Sequence, residues 1–220
     1  MSLANLMKEF SMKPALSIAT LLALAGNPAF AADGINIIVN HISTTQIQAY
    51  SAGALQFNNI AVAEGLQDGS SATITVDQAT LNQTQTRSDG AYQAGSIGWV
   101  SNLQGNANVE VNAHHVAINQ TQTDAPTSEQ TADVGRVDWV DGASIGINVS
   151  DIDITQKQTG LSGGRQLVQV GAVIGDVSNP VHANTNIAVM GKSIVQEQTA
   201  SNNATQTVRM GVLTNGAYYP

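Results

Sequence analysis

Few residues in this chain have a type and spacing that could do chemistry. Ser144 lies in Gly-Ala-Ser-Ile-Gly at 142–146, which fits the Gly-x-Ser-x-Gly nucleophile elbow of hydrolases. That elbow requires a strand before it and a helix after it. Here the stretch holds a turn-to-strand position that sister segments fill with Gly-Ser-Ser-Ala-Thr (69–73) and Gly-Asn-Ala-Asn-Val (105–109). His114 and His115 are adjacent, so in a strand they point to opposite sides and cannot share a metal ion. His41 and His182 have no carboxylate or cysteine partners at ligand spacing. The expectation is no catalytic residue, no metal and no cofactor. Trp99 and Trp139 remain as a candidate aromatic ligand face.

The strongest signal is a recurring carboxamide. Gln-x-Gln occurs at Gln46/Gln48, Gln83/Gln85, Gln120/Gln122, Gln156/Gln158 and Gln196/Gln198, at intervals of 37, 37, 36 and 40 residues. A second landmark follows each pair by 12 or 15 residues: Asn58, Gly95, Gly135, Gly171 and Gly211. A β-branched run precedes each pair, at 35–39, 73–76, 108–111, 144–149 and 186–189. The units span about 34–70, 71–106, 107–142, 143–183 and 184–220. With Asp-Gly, Ser-Gly-Gly and Asn-Gly turn signals between short runs, each unit reads as three candidate strands. No later stretch holds a 3.6-residue apolar period. The predicted fold is an all-β, repeating β-solenoid of stacked coils.

Residues two apart in a strand share a face. Two and four positions before the first glutamine stand Leu81 and Ala79, Ile118 and Val116, Ile154 and Ile152, so the glutamines belong to the apolar, inward side. A buried primary amide costs a few kcal/mol unless its groups are matched. Equivalent strands about 4.8 Å apart provide the match, each amide donating to one neighbour and accepting from the other. The predicted role of all ten glutamines is an assembly ladder. At the second landmarks the inward phase slips by one residue, which predicts a bulge or corner.

Composition bounds the function. The 220-residue chain has 8 basic and 16 acidic residues, a net charge of −8 that repels phosphate backbones, so nucleic acid is not an expected partner. Lys8 and Lys13, the apolar run at 15–26 and Ala-Phe-Ala at 29–31 read as a signal peptide (1–31, cleaved after Ala31) ahead of a repeat domain at 32–220. The apolar run is too short to span a membrane, and no later stretch qualifies. Cysteine is absent, so an exported chain must be held by hydrogen bonds and packing.

Inward glutamines at fixed positions in successive units, abundant Asn, Thr and Gly, no cysteine and a secretory leader resemble the bacterial functional amyloids of the curli and Fap type. The resemblance implies an extracellular fibre subunit of a biofilm matrix at the bacterial surface. Its partner would be further copies of itself, with export and nucleation proteins besides. Five layers would stand only about 24 Å tall, so the expected function is structural self-assembly through the open ends. The alternative expectation is a monomeric secreted adhesin or carbohydrate-binding module.

Overall fold

The computed structural model of the protein describes residues 16–25 and 34–215, apart from 51–52, 67–68, 88, 125, 161, 176–183 and 201. The cleavage pattern at 29–31 and His182 lie outside these residues. Every regular element among the described residues is a strand: β1 (Leu16–Ala25), β2 (Ile35–Ala49), β3 (Leu55–Glu64), β4 (Ser71–Thr86), β5 (Tyr92–Gln104), β6 (Asn108–Thr123), β7 (Glu129–Asp141), β8 (Ser144–Thr159), β9 (Arg165–Gly175), β10 (Asn184–Thr199) and β11 (Thr205–Asn215). Among them no helix is long and apolar enough to cross a membrane.

The strands form two parallel sheets. One has the order β2-β4-β6-β8-β10; the other has β1-β3-β5-β7-β9-β11. Five layers, β2–β3 to β10–β11, are thereby stacked as a β-solenoid of about four turns. Register follows the sequence repeat, so Gln46 pairs with Gln83, Gln83 with Gln120, Gln120 with Gln156 and Gln156 with Gln196. Even the turns continue the ladder: Tyr50 N–H donates to Thr86 O, and Arg87 N–H to Thr123 O.

Each layer has two strands, not three. The β-branched run and the glutamine segment fuse into one strand of 15 or 16 residues. That strand is kinked at His41, Gln78, His115, Asp151 and Gly191, all left-handed with φ between 51° and 55°. In β4 the inward set passes from Ala72, Ile74 and Val76 to Ala79, Leu81, Gln83 and Gln85 across Gln78. His41, Gln78, His115 and Asp151 are exposed. Polar side chains therefore fit there, at about 1–2 kcal/mol of backbone strain each.

The second sheet kinks at Ala61, Gly98, Gly135, Gly171 and Gly211, with φ from 58° to 68°. This corrects two of the corner residues expected from sequence. Asn58 and Gly95 lie three residues before the corner, as ordinary inward positions in register with Ala132 and Val168. The reason glycine dominates the true column is space as well as φ. A Cβ on Gly135 would come within 2.8 Å of Val149 Cγ2 and 2.9 Å of Ile147 Cγ2.

Between the sheets runs one apolar core. Its columns follow the stack, as in Ile37–Ile74–Val111–Ile147–Ile187 and Ile60–Ile97–Val134–Val170–Met210. Burial is complete in the middle layers and incomplete in β10 and β11.

Candidate assembly surface

The glutamine pairs reach inward because β2, β4, β6, β8 and β10 present alternate residues to the core. Gln83, Gln85, Gln120, Gln122, Gln156 and Gln158 are essentially inaccessible, and Gln46 and Gln48 are buried. In the first column Gln83 Nε2 donates to Gln46 Oε1 (2.9 Å), Gln120 to Gln83 (2.8 Å), Gln156 to Gln120 (2.8 Å) and Gln196 to Gln156 (2.8 Å). The second column repeats this through Gln48, Gln85, Gln122, Gln158 and Gln198 at 2.7–3.1 Å. Each Nε2 also donates to the facing sheet within its own layer. Gln120 reaches Thr131 O at 2.8 Å and Gln122 reaches Glu129 O at 3.2 Å. The amides therefore satisfy themselves and tie the two sheets together, which is how a polar row survives in the core.

A third column was missed in the sequence. Gln56, Gln93, Gln130, Gln166 and Gln206 project inward from the other sheet, joined by Nε2-to-Oε1 bonds of 2.9 Å at every step. The signal was there to read: each stands ten positions after the first glutamine of its pair.

The ends of the stack differ. At the last layer, Gln196, Gln198 and Gln206 each donate to the layer before, and among the described residues nothing donates to their Oε1 atoms. Inward Val208, Met210 and Leu213 are 40–50% exposed there. The strand edges of β10 and β11 are both unpaired among the described residues. One residue departs from the pattern. Lys192 occupies the end of an otherwise apolar inward column, Ile42–Ala79–Val116–Ile152. At the first layer β2 is an edge among the described residues, while β3 is covered by β1. The apolar run assigned to the leader is thus a sheet strand over Leu16–Ala25, paired in parallel with β3.

The two tryptophans do not form a stripe. Trp99 stands in register with Arg136 and donates Nε1 to Asp138 Oδ2 at 3.1 Å. Trp139 is three positions further along, beside Asn102, and is 65% exposed. Trp99 instead joins a charged cluster on the outer side of its sheet. Arg136 binds Asp133 and Asp138 at 2.8 Å each. Burial pushes the Asp133 carboxyl up to about 6, against the pull of Arg136, and raises Asp138 as well.

Ser144 opens β8 in register with Asn108 and Asn184, with no helix following. His114 bonds Ser150 at 2.7 Å, while His115 lies between Asp77 (2.9 Å) and Asp151 (3.5 Å) on the outer face. The hydrogen bond to Asp77 raises the His115 pKa above its ordinary value. Among the described residues no group of three or more His, Asp or Glu could hold a metal ion. No protein family, curated protein or solved structure matches the chain.

Proposed function

We propose that this chain is an exported structural subunit that stacks end to end into β-rich fibres on or outside a bacterial cell. The observation that carries this reading is the last layer: among the described residues three glutamine columns end there with unused carbonyl oxygens, above two unpaired strand edges and exposed inward apolar side chains. A second copy offers what that surface lacks. Extending the register places its Gln46, Gln48 and Gln56 on Gln196, Gln198 and Gln206. Its Ile37, Val39 and Ile60 then continue the columns that end in Ile187, Val189 and Met210. Open edges template such addition.

The test is to incubate the mature chain, residues 32–220, at neutral pH and follow it by electron microscopy and fibre diffraction. Unbranched fibres with a reflection near 4.7–4.8 Å along the axis are expected. A persistent monomer in size-exclusion chromatography refutes the reading. One observation favours that other outcome, a monomeric secreted adhesin or carbohydrate-binding module. Lys192 puts a cation where a docking copy would need an apolar residue, a device by which edge strands resist pairing.

A further inference from the structure

The strand β1 lies where another copy's β11 would have to lie. Register runs Leu16, Leu55, Tyr92, Glu129, Arg165 and Thr205 through the sheet, so residues 16–25 occupy on β3 the rank that 205–214 of a second copy would take. The pairing is parallel like every other step, and it skips the kink at Ala61 as the β9–β11 pairing skips Gly171. The imitation is incomplete in two respects. Among the described residues the sheet containing β1 has six strands and the other five, so β1 has no companion there on β2. Register also sets Ser17 on Gln56, where a second copy would bring Gln206 to extend the third glutamine column.

We infer that the N-terminal segment is a temporary cap: β1 occupies the β3 edge that receives β11 of a second copy, and the joint opens only when β1 leaves. This inference rests on the assembly reading above and adds its control. A copy of the chain outcompetes β1 because it pairs with both sheets at once, whereas β1 pairs with one. Removal of the segment at the cleavage pattern after Ala31 would couple the opening of the joint to export, so unprocessed chain is held as single subunits.

The full chain tests this through a reversible lock. Thr20 and Asn59 are register partners, and the chain has no cysteine of its own. Thr20→Cys with Asn59→Cys therefore places two thiols on neighbouring strands at a spacing that a disulfide spans. Thr20→Pro acts oppositely by removing a ladder donor from β1. Folding of each variant is checked by circular dichroism, and fibre mass is followed by light scattering and microscopy. The oxidised double-cysteine chain is expected to assemble at least tenfold more slowly than the same chain after reduction, and Thr20→Pro is expected to shorten the lag of the full chain. Equal rates for oxidised, reduced and Thr20→Pro chains overturn the cap and leave the assembly reading standing. Folded chains that form no fibres in any state overturn the assembly reading, and the cap with it.

Discussion

Replacing Gln120 by leucine isolates the energetics of the ladder. Gln120 is fully buried in the middle layer; its Nε2 donates to Gln83 Oε1 and Thr131 O, and its Oε1 accepts from Gln156. In Gln120→Leu, Gln83 Oε1 loses its donor and Gln156 keeps one amide hydrogen on Leu167 O but loses the acceptor for the other. Two stranded polar groups at roughly 1–3 kcal/mol each give about 2–6 kcal/mol. Because the glutamine methylenes are already buried, the added apolar surface offsets roughly 1 kcal/mol, leaving a net destabilisation of about 1–5 kcal/mol. Replacing the whole column, at positions 46, 83, 120, 156 and 196, strands no amide on a neighbouring layer, because donors and acceptors leave together. That fivefold variant should cost less than the single one. Urea unfolding followed by far-ultraviolet circular dichroism measures both, with the outward Thr121→Ala as the control. The reasoning fails if Gln120→Leu lies within about 0.5 kcal/mol of the parent, or if the fivefold variant costs about five times as much as the single change.

Two further expectations concern charge. Lys192→Ile extends the apolar column Ile42–Ala79–Val116–Ile152 to the end of the stack and should speed seeded fibre elongation several-fold, since docking would no longer desolvate an ammonium group; an unchanged or slower rate contradicts this. Asp133 gives a pH dependence of defined sign. Its folded pKa of about 6 exceeds the usual 3.8 because burial disfavours the anion, so the folded chain holds the proton more tightly between those values. That contribution to stability is present near pH 4 and is lost as pH rises through 6, on the order of 3 kcal/mol for a shift of this size. The difference between parent and Asp133→Asn in urea midpoint should therefore change between pH 4.5 and 7, to the parent's disadvantage at the higher pH. A constant difference would show that the carboxylate is ionised throughout.

The repeat, the all-β stack and the inward direction of the paired glutamines were legible because they rest on period-2 alternation and a fixed interval. The kinks at His41, Gln78, His115 and Asp151 place ordinary polar residues in a left-handed backbone, and nothing in those residue types announces it. One strand was therefore split into two. The misplaced corners arose where unit two offers both Gly95 and Gly98, and where unit one has Ala61 in place of a glycine. A constant spacing of fifteen residues from the first glutamine selects Gly98 and Ala61. The tryptophans stand 40 positions apart while their units repeat at 37, so they miss register by three. The cluster of Asp133, Arg136 and Asp138 depends on burial of the outer side of one sheet, which alternation alone does not reveal.

The amide columns also have a direction. In all three, nitrogen belongs to the later layer and oxygen to the earlier one. Rotating one amide by 180° would reverse its polarity, but its nitrogen is already committed to a main-chain carbonyl, such as Thr131 O for Gln120, and the flip would set oxygen against oxygen. A neighbour arriving upside down would meet the same mismatch three times over. Any filament made from these units would consequently be a one-way object, with one tip that ends in the last-layer carbonyl oxygens and another that does not. Growth at the two tips would then proceed at different speeds.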